Sequence, residues 1–155
     1  MSHEALNGAP TGRTAARLAK QVELALAALD LSVSQYRLLV FLSDGPSQAS
    51  ALAERLIVSR PSVTALADGL VERGLVTREG AAVDRRQVLH VLTEEGLRVL
   101  AEADDAIETR LSNLAANVGE QDQRRAFRGL EAWEKAMNAA RAKAVAAPAT
   151  NGGKR

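Results

Sequence analysis

Two short apolar stripes lie almost end to end in the middle of this chain. Leu52, Ala53 and Leu56 form one, and Val63, Leu66, Ala67 and Leu70 form the other, each at helical i+3/i+4 spacing. Only Ile57-Val58-Ser59 separates the two helices they imply. Helices this short are not stable alone, so the pair must turn sharply and bury one stripe against the other. Ser59 is suited to cap the second helix, and Pro61 is tolerated in its first turn, where an N–H would be unpaired anyway. Ser47 is placed to cap the first helix. Gly74 is expected to end the second, after Arg73.

The sequence then changes period. Leu75-Val76-Thr77 begins a strand, residues 79–86 (EGAAVDRR) read as a loop, and residues 87–92 (QVLHVL) are rich in β-formers, so a hairpin with a long tip is expected. Upstream, Ala15, Leu18, Ala19, Val22, Leu26 and Leu29 predict a helix from about Gly12, broken at Asp30-Leu31. Ser32 and Gln35 form a capping box that opens a second helix through Tyr36, Leu39 and Leu42, closed by Ser43-Asp44-Gly45-Pro46. Downstream, Thr93 caps a long helix over residues 94–118, with Leu97, Leu100, Ile107, Leu111, Leu114 and Val118 on one stripe interrupted by Asp104. A last helix follows from Glu120 to about Ala144, bearing Phe127, Leu130, Trp133, Met137 and Ala140. The small polar segments 1–11 and 145–155 read as disordered tails around a single domain over 12–144.

Composition removes several function classes. There is no cysteine, which excludes disulfides and thiol redox chemistry, and only two histidines, His3 and His90, which offer no convergent metal site. No phosphate loop, nucleophile elbow or catalytic histidine motif is present, so no enzyme, catalytic residue, metal or cofactor is expected. No stretch approaches a membrane span or a secretory signal, and a cytoplasmic protein without a membrane partner is expected. The net charge of +1 is uneven: residues 94–118 carry −4 and residues 119–155 carry +4. The chain is no general polycation, so any DNA contact must come from locally placed arginines.

Those arginines sit in residues 47–93. In a helix-turn-helix the first helix braces the second, whose N-terminal end enters the major groove. Ser59, Arg60, Ser62, Thr64 and Ala65 face away from the second helix's apolar stripe and are slim enough for a groove. Arg78, Arg85 and Arg86 flank the hairpin tip, where arginine favours the negative potential of a neighbouring minor groove, and Asp84 reads as their orienting partner. A generic helical hairpin with a solvated face, or a protein-interaction module that does not bind DNA, is the competing reading. His90, in the strand set Val88-His90-Leu92, reads as a partly buried packing residue.

The pieces LAERLIVSRPSVT, LVERGLV, Asp84-Arg85-Arg86 and LTEEG at 92–96, in that order, resemble the MarR family of bacterial regulators. The resemblance implies a mainly α (α+β) winged helix-turn-helix fold over about 31–93. Helices over about 12–30 and 94–144 would form an intertwined homodimer. It implies operator DNA as partner, with Ser59, Arg60, Ser62 and Thr64 on the DNA side of the recognition helix and Arg86 of the wing in or beside the minor groove. Ser47, Arg78, Asp84 and Arg85 complete the expected DNA-binding set. It also implies a repressor released by a small aromatic or phenolic effector, through lobes no longer spaced to match major grooves about 34–36 Å apart. Ala65-Leu66 replace the basic residue many relatives carry, and the wing lacks the proline often found before its acid. Neither departure touches the fold; both bear on which side chains read sequence. No ligand-binding residue can be named from the sequence.

Overall fold

The computed structural model describes residues 11–80 and 87–146, in two units, residues 1–111 and 112–155. Within the first unit the elements run α1 (Thr11–Ala27), α2 (Val33–Ser43), β1 (Ser47–Gln48), α3 (Ala49–Leu56), α4 (Arg60–Glu72), β2 (Val76–Gly80) and β3 (Val88–Leu92). Helix α5 (Glu94–Ala115) begins in this unit. The second unit contains α6 (Glu120–Ala146). The fold is helix-rich with one small antiparallel sheet, as expected.

Local chemistry sets most of the boundaries. The capping box at the start of α2 is complete: Gln35 N donates to Ser32 Oγ at 3.1 Å, and Ser32 N donates to Gln35 Oε1 at 3.0 Å. Ser59 caps α4 by accepting from Ser62 N at 3.3 Å, with Pro61 in the first turn. Gly74 ends that segment at φ +71°, a conformation a Cβ would oppose. Between α3 and α4, Ile57 adopts the left-handed conformation at φ +59°, which costs a β-branched residue about 1–2 kcal/mol. The turn is held by Val58 N donating to Ala53 O at 3.1 Å.

Ser47 does not cap α3. It lies in β1, paired with His90 as Gln48 is with Leu89, and the N-cap of α3 is Gln48, whose side chain makes no cap bond. The sheet therefore has three strands in the order β1-β3-β2, all antiparallel neighbours. The reason is the second edge of β3, whose backbone groups need partners that the segment after Pro46 supplies. A two-residue strand carries no periodicity by which to find it.

The core of the first unit is leucine-rich. Leu26, Leu38, Leu39, Leu52, Val63, Leu70 and Val76 are fully buried, and the two stripes of α3 and α4 meet in it as expected. Helix α5 joins through Gly96, Val99, Leu100 and Ala103. Leu97, expected on that stripe, is instead 51% exposed; the buried face is set one residue earlier, by the glycine. Asp104, which interrupts the expected stripe, accepts a 2.6 Å hydrogen bond from Tyr36 of α2. Arg110 donates from Nε and Nη2 to Gln21 Oε1 of α1, at 3.0 and 2.8 Å. In the second unit, Leu130, Trp133 and Met137 lie exposed along α6.

Candidate nucleic-acid interface

The N-terminal turn of α4 gathers the polar residues picked out by their spacing. Ser59, Arg60, Ser62 and Thr64 are all exposed, while Val63 and Ala67 on the opposite side are fully buried. Apolar residues at 63, 67 and 70 pin one face to α3, so the intervening residues must point outward. The hydroxyls are ordered before any ligand arrives. Ser59 Oγ and Ser62 Oγ lie 2.8 Å apart, and Thr64 Oγ1 donates to Arg60 O at 3.1 Å. Thr64 has thus committed its proton to the helix and offers lone pairs, a suitable acceptor for a base-edge amino group. The N-terminal end of the helix dipole adds partial positive charge beside it.

The base of the hairpin is more engaged than its sequence suggests. Arg78 of β2 donates from Nη2 to Asp68 Oδ1 of α4, an ion pair that joins the second helix to the wing. Asp68 was not legible as a site residue, because nothing in linear spacing brings position 68 to position 78. Arg78 and Ser47 both stand opposite His90 in the ladder, so the three side chains share one face of the sheet. His90 is 4% exposed and its Nδ1 has no polar partner. Burial, and then the charge of Arg78, hold its pKa below the ordinary histidine value, against an opposing hydrogen bond with the Ser47 backbone and the charge of Asp68. Gln48 Nε2 donates to Gln87 Oε1 at 2.5 Å, joining β1 to the start of the returning strand. Asp84, Arg85 and Arg86 lie outside the described residues.

The brace behind α4 is also built from polar parts. The Arg55 guanidinium of α3 stacks over the Phe41 ring at 4.2 Å and donates to Asp44 Oδ2 and Phe41 O. From the far end of α4, Arg73 donates to the carbonyls of Asp30 and Leu29, at 2.7 and 3.0 Å, closing the α1–α2 turn. Among the described residues no group of three or more His, Asp or Glu side chains is placed to hold a metal ion, and no helix is long and apolar enough to cross a membrane.

Comparison with known proteins agrees with this geometry. The family model described as the MarR family matches residues 29–87, from the α1–α2 turn to the foot of β3. YfiV of Bacillus subtilis, an HTH-type transcriptional regulator, is 26% identical over 114 residues, 73% of this chain and 71% of its own. Further curated regulators align over about half of their own length. Among solved structures, RV1404 from Mycobacterium tuberculosis is 27% identical with a TM-score of 0.72, over 81% of this chain and 88% of that one. The transcriptional repressor CouR, solved on a 23-mer DNA duplex, is 27% identical with a TM-score of 0.67, over 85% of this chain and 94% of that one. CouR from Rhodococcus jostii RHA1 has also been solved with p-coumaroyl-CoA. The family match over residues 29–87, the HTH-type transcriptional regulator YfiV and the repressor CouR all make this chain, with its helix-turn-helix and three-stranded sheet, similar to the MarR family of transcriptional regulators.

Proposed function

We propose that this protein is a sequence-specific double-stranded DNA-binding regulator, acting in the cytoplasm as a homodimer on a pseudo-palindromic operator, and that it represses transcription there. The observation that carries this reading is the first turn of α4. A capped helix end presents Ser59, Arg60, Ser62 and Thr64 to solvent while its other face is locked in the core. Such a surface fits a major groove N-terminus first. Arg85 and Arg86 of the wing then reach the adjacent minor groove or backbone, with Asp84 orienting them. Arg78, paired with Asp68, and Ser47, held in β1, stand at the margin of that surface. The exposed apolar side chains of α6 supply the dimer contact. A small aromatic or phenolic effector releases the operator, a reading supported by CouR having been solved both on DNA and with p-coumaroyl-CoA, whose acyl group is phenolic.

A mobility-shift titration against the DNA around the protein's own gene tests this. Binding is expected to be tight, to protect a pseudo-palindrome, and to weaken steeply with salt as counterions are released. Arg86→Ala is expected to cost about 1–3 kcal/mol in operator affinity without unfolding the protein. Undetectable or salt-insensitive binding to every fragment would leave a winged-helix protein-interaction module as the better reading. An unchanged affinity in Arg86→Ala would remove the wing from the mechanism.

A further inference from the structure

Helix α4 is an acidic helix to find in a DNA groove: one cation, Arg60, stands against two anions, Asp68 and Glu72. Asp68 lies one helical turn beyond Thr64 and is exposed, on the outward side of the helix. A carboxylate there repels phosphate, or else accepts a hydrogen bond from a base-edge donor such as the cytosine amino group. In the structure Arg78 of the wing holds that carboxylate in an ion pair. The pair is roughly half exposed on both sides, 38% for Arg78 and 49% for Asp68, so it adds little to stability. Its consequence is electrical. Two charges at the junction of recognition helix and wing are presented as none, and the buried His90 beneath them is held toward its neutral form.

From this juxtaposition we infer that Asp68 is a specificity-determining residue, which withholds Arg78 from indiscriminate phosphate binding. The inference rests on the DNA-reading role proposed above. On arbitrary sequence, a phosphate that draws Arg78 away leaves Asp68 unpaired beside the polyanion, and the two changes offset each other. On a site that sets a base-edge donor before Asp68, the carboxylate exchanges Arg78 for that donor. Arg78 then becomes a full phosphate contact. One ion pair thereby links a base to a backbone contact, which compensates for a recognition helix with a single cation.

The test uses the full chain and two duplexes: one recovered by wild-type selection from a random library, and one of mixed sequence. Affinities are measured across a salt series. Asp68→Asn is expected to strengthen mixed-sequence binding, to steepen its log–log salt slope by about 0.9, and to lower the ratio of selected to mixed affinity by roughly fivefold or more. Arg78→Gln is expected to leave the mixed-sequence slope unchanged and to weaken only the selected duplex. The double variant should return to the wild-type slope on mixed sequence. An Asp68→Asn protein with unaltered slope and ratio overturns the inference. So does a loss of about 0.9 in the mixed-sequence slope of Arg78→Gln, since Arg78 would then be an unrestrained phosphate contact. Selection that enriches no sequence, with wild type silent on both duplexes, removes the DNA-reading role itself; that result differs from either failure of the variants.

Discussion

The Cα of Gly96 sits so close to the carbonyl of Leu75 that a Cβ at this position would stand 2.1 Å from that oxygen and 2.7 Å from Leu92 Cδ1. This is the point where α5 leaves the wing. Thr93 Oγ1 caps the helix by accepting from Gly96 N at 2.9 Å and donates to Gly74 O at 2.7 Å, while Thr93 N donates to Leu75 O at 3.1 Å. One residue thus ties the end of the α4 segment, the sheet and the start of α5 together. Any side chain at 96 must push them apart.

Gly96→Ala is therefore expected to destabilise the protein by about 3 kcal/mol despite alanine's better helix propensity. Chemical denaturation measures it. A neutral or stabilising result would mean that α5 can shift away from Leu75 at little cost.

Tyr36 tests the link between α2 and α5. Its phenol is held above the usual tyrosine range, first by burial and then by the hydrogen bond and charge of Asp104. Asp104→Asn should bring the phenol back toward its ordinary value, and ultraviolet titration can follow this because the chain has a single tyrosine. Tyr36→Phe should cost about 1 kcal/mol of stability. If the titration curve of the Asn variant overlays the wild type, the two side chains are not paired in solution.

His90 makes stability depend on pH. Its folded pKa lies below the ordinary value of 6.5, so between the two the unfolded chain binds more protons than the native one. Stability from this site is therefore complete above about pH 6.5 and is lost as pH falls through the folded pKa. Denaturant midpoints at about pH 7 and about pH 5.5 should show the wild type losing more stability than His90→Leu, which has no proton to gain. Equal losses in the two proteins would show that His90 is protonated without penalty.

The proposed dimer can be followed through α6. Trp133 is 64% and Met137 62% exposed, one helical turn apart on one side of the helix, and Trp133 is the only tryptophan. In a homodimer joined through this face, dilution should shift the tryptophan emission to the red as the ring returns to water. Trp133→Glu combined with Met137→Glu should sediment as a monomer. A wild type that is already a folded monomer at micromolar concentration would refute the assignment.

Much of this architecture was legible in the linear chain, because it depends on interactions between near neighbours. The capping box at Ser32 and Gln35, the cap at Ser59, the stop at Gly74 and the two meeting stripes of α3 and α4 are all local. Periodicity and capping act over three or four residues, and that is the range that sequence spacing reports. The polar residues at the start of α4 follow from the same stripe, since burying one face exposes the other.

The rest needed the chain to be folded. Strand β1 exists only because β3 had an unpaired edge, so Ser47 became a strand residue and not a cap. The buried face of α5 moved to Gly96 because the Leu75 carbonyl leaves no room for a side chain there, and Leu97 was turned outward. Asp68 and Arg78 are ten residues apart on different elements, and their pairing is set by how α4 packs against the sheet. The sequence by itself determined which helix end faces outward with slim polar groups, because local hydrophobic spacing decides that. Only the tertiary structure decided how much charge that surface presents, because charge is neutralised by whichever partner packing brings within reach.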